Sequence, residues 1–221
     1  MAKLEVIALT LQDADEAQLG GASSVELCRD MSVGGLSPDL DLVRAIRDRV
    51  SIHIRVMVRS HGPGFLYSAQ DMDHMLAYTE TLNRIGVSGV VFGALRQDST
   101  LALEQVQQIA SAVGPFEVTL HRAIDESSDA PQALDALRGT VQRILTSGHA
   151  PTVWEGRETI KAWLREYGES FTFACGGGLR AEHLAQTVRE IGAPEYHVGT
   201  AARSNDLVDR VKVRAMVDVL S

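Results

Sequence analysis

Short β-branched runs alternate with longer amphipathic stretches eight times along the chain. The runs at 4–8, 24–27, 51–58, 89–92, 116–121, 141–145, 171–174 and 195–198 have the length and composition of strands. Between and after them, apolar residues recur at helical spacing over 13–20, 39–48, 70–85, 101–113, 129–138, 155–167, 180–190 and 206–220. Asp13, Ser68 and Asp129 stand where N-caps belong, and Gly20, Gly86, Gly114 and Gly192 follow helical patterns where a left-handed residue is expected. Periodicity and punctuation therefore agree.

Strict alternation of strand and helix predicts a parallel sheet with helices outside it. Eight units are enough to close that sheet, so the expected fold is a single (β/α)8 TIM barrel with a parallel eight-stranded core, one domain over residues 1–221. A doubly wound open sheet is the alternative. The longest irregular stretch, 59–68, follows the third strand, and long strand-to-helix loops of barrels commonly build the site.

Charge narrows the partners. With 21 Lys and Arg against 29 Asp and Glu, the net charge of −8 argues against nucleic acid and anionic membranes, which need clustered cations. No apolar run is long enough to span a bilayer, and the opening residues lack the pattern of a signal peptide, so a cytoplasmic location is expected. The two cysteines, Cys28 and Cys175, are too few for a disulfide framework and are expected as thiols.

In a barrel, functional groups gather at the C-terminal ends of the strands. Those ends carry Glu26 and Cys28 after strand two, Arg59 and His61 after strand three, His121, Arg122 and Asp125 after strand five, Ser147 after strand six, and His197 in strand eight. Glu26 lies within an apolar strand, where a lone carboxylate is costly, so it either pairs with an arginine inside the barrel or meets a ligand. Glu5 sits further from the rim, and structural pairing is expected there. His121 and His197 are candidates for proton transfer or ligation, Arg59 and Arg122 for anion clamps, and Ser147 for a hydroxyl contact.

Gly177 and Gly178, within a triple glycine at 176–178, precede a helix, and Gly199 and Thr200 follow strand eight. Loops at these two places can present backbone N–H groups to a phosphate; equally, the glycines can simply make a tight turn. Cys28 is the best placed soft ligand for a metal, although isolated cysteines are most often small buried hydrophobes. No Cys-x-x-Cys or paired-histidine metal signature is present.

The segments Val25-Glu26-Leu27-Cys28, Gly34-Gly35-Leu36-Ser37-Pro38, Arg59 to Tyr67, Leu120 to Asp125, Leu145-Thr146-Ser147-Gly148 and Gly176 to Leu179 resemble, in order, the motifs of the CutC family. The resemblance runs from the first strand to about Gly199. It implies a (β/α)8 barrel that associates into homo-oligomers, a role in copper homeostasis, and a barrel mouth lined by Glu26, Cys28, Arg59, His121, Asp125, Ser147 and His197. Two departures stand out. Where the family reads Arg-Pro-Arg-Gly-Gly, this chain has Arg59-Ser60-His61-Gly62-Pro63, and the family's longer segment after strand eight is reduced here to Ala201-Ala202-Arg203 leading almost directly into the last helix.

Two functions follow as expectations. One is copper binding, with Cys28 as ligand and a histidine such as His61 or His121 beside it. The other is an enzyme for a small anionic or phosphorylated metabolite, held by Arg59 and the two glycine loops, with Glu26 and His121 sharing acid–base work.

Overall fold

The structure is a computed structural model that describes residues 1–62 and 64–221; Pro63, inside the loop predicted at 59–68, lies outside the described residues. Eight strands pair in sequence order and all in parallel, with the last closing on the first: β1 (Lys3–Ala8), β2 (Ser24–Leu27), β3 (His53–Met57), β4 (Gly89–Phe92), β5 (Glu117–Leu120), β6 (Arg143–Thr146), β7 (Thr172–Gly176) and β8 (Glu195–Val198). Closure leaves the eight-stranded sheet without a free edge, which excludes the open doubly wound alternative.

The helices between the strands are α1 (Leu11–Gly20), α2 (Leu40–Arg49), α3 (Ala69–Ile85), α4 (Leu103–Val113), α5 (Ala123–Glu126), α6 (Ala130–Ala136), α7 (Arg157–Tyr167), α8 (Ala181–Ile191) and α9 (Arg210–Leu220). Their apolar stripes pack on the outward faces of the strands, where Leu4, Val6, Val25, Leu27, Ile54 and Val56 are all buried in one large core. Alternate residues of the same strands point into the barrel. Near the mouth those residues form a second, small cluster of Cys28, Met57 and Val91, with Ile7, Leu9 and Met31 packed against it.

Deeper in, the barrel is filled with charge. The Glu5 carboxylate receives Arg55 Nη1 at 2.8 Å and Arg143 Nη2 at 2.6 Å. Arg143 Nε also donates to Glu195 at 2.7 Å, and Arg55 Nε to Glu117 at 2.5 Å. Three carboxylates and two guanidiniums thus lock β1, β3, β5, β6 and β8 together, and the structural pairing expected of Glu5 is what the barrel contains. Burial alone would favour the neutral form of Glu5, but Arg143, His197 and Arg55 outweigh it and hold its pKa well below the ordinary carboxylate value.

Several local expectations are corrected. Thr10, one turn earlier, caps α1, because the carboxylate of Asp13 is buried and spoken for: it accepts from Leu9 N, Val208 N and Arg203. Asp129 likewise accepts from Leu101 N and Ser127 instead of capping its own helix, whereas Ser68 forms a full capping box with Asp71. The left-handed residue ending α1 is Gly21, not Gly20. Strand five is followed by the unforeseen short α5 before α6. Residues 203–208 do not run straight into the last helix: β9 (Arg203–Ser204) and β10 (Leu207–Val208) form a small antiparallel hairpin, and α9 begins at Arg210.

Candidate functional site

One cavity of about 560 Å³ opens at the C-terminal end of the barrel. Its floor is Glu26 and His197, and one wall is made by Cys28, Met31 and Met57. Arg59, Phe65 and His121 stand on the β3–β5 side, Gly177, Gly178, Gly199 and Thr200 on the β7–β8 side, and Arg122 reaches from the end of β5 toward Gly177. Strand ends thus bring together most of the residues singled out in the sequence. Asp125 and Ser147 stand behind Arg122 instead: Arg122 Nε donates to Asp125 at 3.0 Å and Nη2 to the Ser147 hydroxyl at 2.8 Å. Asp125 also accepts from the backbone N–H of Ser147 and His149 and from Thr146, so the pair orients the arginine.

Glu26 is 2% exposed, and its Oε2 has no hydrogen-bond partner among the described residues. Glu5, Glu26 and His197 each place a polar atom within 4.8 Å of the other two. His197 Nδ1 lies 2.8 Å from Glu5 Oε2, which fixes the ring and leaves its other edge for the cavity. Burial drives the Glu26 pKa above the ordinary carboxylate value, with the Glu5 charge adding to it against the opposing pull of His197. For His197, burial alone would lower the pKa, but Glu26 and Glu5 outweigh it and raise it. Each of the two groups favours the other's charged form while burial favours neutral Glu26, so the carboxyl and the imidazole titrate together.

His121 is a different kind of group. Its Nδ1 accepts from the backbone N–H of Ala123 at 3.1 Å, so the neutral ring carries its proton on Nε2, which is buried without a partner. Burial and the nearby Arg59 charge push its pKa down to about 3. Such an imidazole donates a hydrogen bond and does not take up a proton at neutral pH. The ring fits only because residue 93 is glycine, since a Cβ there would stand 2.6 Å from Nδ1.

Arg59 is 3% exposed and has no carboxylate partner among the described residues. Its guanidinium donates to the carbonyls of Val33 at 2.6 Å, Gly35 at 3.1 Å and Gly64 at 3.1 Å, and lies 4.7 Å from the Phe65 ring centre. The carbonyls orient the cation but leave its charge uncompensated.

Across the mouth, no described residue accepts from the backbone N–H of Gly178, Leu179 or Thr200. Gly177 adopts φ +116°, and a Cβ there would meet the Arg122 guanidinium at 3.2 Å, so the glycine lets this cation approach the loop.

Residues 2–202 match the sequence profile of the CutC family. The chain belongs to the CutC family. A CutC family protein of Mesorhizobium japonicum is 38% identical over 199 residues, covering 88% of this chain and 77% of that protein. One from Xylella fastidiosa is 34% identical, covering all of this chain and 89% of that protein. The crystal structure of a CutC protein from Streptococcus agalactiae, provisionally named for copper homeostasis, superposes with a TM-score of 0.85 at 25% identity, over 90% of this chain and 99% of that one. Phosphoribosylanthranilate isomerase from Thermococcus kodakaraensis, at a TM-score of 0.66 and 15% identity, shares the barrel fold.

The family's association with copper raises the question of which groups here could hold it. Glu5, Glu26 and His197 are close enough to bind an ion, but both Glu5 oxygens already accept from guanidiniums, and two arginines oppose a further cation. That cluster does not fit a metal. Cys28 does have soft neighbours, the thioethers of Met31 and Met57, whereas His61 instead faces Asp71 and Tyr67. These methionines were not legible as ligands in the sequence, because single Met residues read as ordinary core filling. Burial and the Glu26 charge push the Cys28 thiol pKa up, so it is a thiol until a metal displaces its proton. Among the described residues, no helix is long and apolar enough to cross a membrane.

Proposed function

We propose that this CutC-family barrel binds a small anionic metabolite at its mouth and moves a proton on it with Glu26 and His197. The observation that carries this reading is a buried carboxyl without a hydrogen-bond partner, forming the floor of a cavity large enough for a small metabolite. A structural carboxyl would be paired, as Glu5 is. Buried, interacting ionisable groups with shifted pKa values in a cleft are the kind of arrangement found at acid–base sites.

Within that reading each residue has a task. Arg59 and Arg122 supply positive charge in a protein that is otherwise acidic, and His121 offers a fixed N–H. Asp125 and Ser147 hold Arg122 in place, while Gly177, Gly178, Gly199 and Thr200 bring backbone N–H groups to the ligand. Glu5 positions His197. With one proton on the pair, the group that holds it donates to an oxygen of the ligand while the other removes the proton from the adjacent carbon, and the reverse step returns both protons.

A thermal-shift screen of phosphorylated sugars and sugar acids, followed by incubation of each hit in D2O, tests the proposal. At least one compound should stabilise the protein by several degrees and exchange a carbon-bound hydrogen for deuterium; Glu26→Gln should still bind it but not exchange it. No stabilising compound, or exchange that survives the substitution, contradicts the reading.

The packing of Cys28 with Met31 and Met57 supports a second reading, in which these side chains carry Cu(I) as cargo. An anaerobic competitive Cu(I) titration beside Cys28→Ala should then show stoichiometric binding that the variant loses. Equal binding by both proteins, or none, removes it.

A further inference from the structure

We infer that the barrel mouth takes a ligand with an anionic group at each end, a phosphate on the β7–β8 side and a carboxylate at Arg59 and His121. The inference rests on the anion-binding function proposed above for the same cavity.

The two ends differ in position and in chemistry. In the ring of eight strands β3, which carries Arg59, lies directly opposite β7, so Arg59 and the glycine turn after β7 face one another across the mouth. On the β7–β8 side, the mouth is lined by Gly178, Leu179 and Thr200, whose backbone N–H groups have no acceptor among the described residues, and the Arg122 guanidinium stands beside Gly177. Several N–H donors and a cation around a glycine turn match the three oxygens of a phosphate monoester.

On the other side the donors are fewer and fixed. Three carbonyls consume most of the Arg59 N–H groups, and His121 adds one N–H that no described residue accepts. Arg59 and His121 flank the same ring, Phe65, with the histidine ring centre 4.6 Å from it and the guanidinium carbon 4.7 Å from it. A buried cation with no carboxylate of its own and a buried donor with no acceptor leave room for a group with two oxygens and one charge, which describes a carboxylate.

A ligand joining the two ends lies over Glu26 and His197, which form the floor between them. The substrate class is thus a phosphorylated acid, such as a phosphorylated sugar acid, with its reacting carbons held at the middle of the chain.

Calorimetric titration of the full-length protein with inorganic phosphate, gluconate and 6-phosphogluconate tests this. The two-ended compound should bind at least about tenfold more tightly than either one-ended probe. His121→Phe should remove that gain while leaving phosphate affinity within about twofold, and His121→Gln, which keeps an N–H donor, should restore part of it. Arg122→Met should weaken inorganic phosphate and leave gluconate unchanged. Thermal melts confirm that each variant is folded, and should His121→Phe fail to fold, His121→Gln and Arg122→Met carry the test. Phosphate or gluconate binding with no gain from the second end overturns the two-ended ligand and leaves the proposed function standing. Failure of all three probes to bind at millimolar concentration overturns both.

Discussion

Glu5 and Glu26 show how much one residue's surroundings decide. They occupy neighbouring strands, and both are buried carboxyls facing the barrel interior. Glu5 is surrounded by two guanidiniums and an imidazole and is ionised, whereas Glu26 has no hydrogen-bond partner and is pushed toward its protonated form. An acid whose folded pKa is raised keeps its stabilising proton below the ordinary value of 4.5, and stability is lost as pH rises through the folded value. Glu26→Gln should therefore melt higher than the native protein at pH 8, the difference shrinking toward pH 4.5. Melting curves across that range check it, and a variant less stable at pH 8 would contradict the account. The sequence placed Glu5 correctly because it lies deep in its strand, but left Glu26 open, since its pairing depends on arginines brought in from distant strands. The neutral donor role of His121 was beyond it too, because that role comes from burial, Arg59 and the N–H of Ala123.

At the scale of elements, the strands do two jobs at once, one face building the apolar layer under the helices and the other an ionic layer within the barrel. Arg143 is fully buried and joins β6 to Glu5 of β1 and Glu195 of β8. Replacing it with alanine removes the guanidinium that pairs Glu195 and one of the two that pair Glu5, and should cost about 3–5 kcal/mol in urea unfolding. A cost under about 1 kcal/mol, the range of exposed pairs, would show that the interior is wetter than its geometry implies. The eight strands and their helices were legible in the sequence because each is long enough to show its period. The β9–β10 hairpin was not, since two-residue strands have no period. Its one trace is Asn205-Asp206, both at positive φ, a turn chemistry that favours hairpins. The role of Asp13 escaped for a related reason: next to a helix start it looks like a cap, and only the folded hairpin brings Arg203 and Val208 to it.

At the scale of the whole molecule, the barrel concentrates positive charge in one place. A chain of net charge −8 lines its mouth with Arg59, Arg122 and His197, and that contrast focuses an anion on the site. Resemblance in ordered motifs marked the mouth in advance; closure of the ring shows which of those residues share a cavity and which support it from behind. The central claim is that Glu26 and His197 form a coupled acid–base pair on the cavity floor. The most direct test is an NMR pH titration of the seven histidines in the native protein and in Glu26→Gln. His197 should titrate above the ordinary value of 6.5 in the native protein and shift downward in the variant, while His121 stays neutral across the physiological range. A His197 midpoint at the ordinary value and unmoved by the substitution would contradict the pair, and with it the acid–base function proposed for this site.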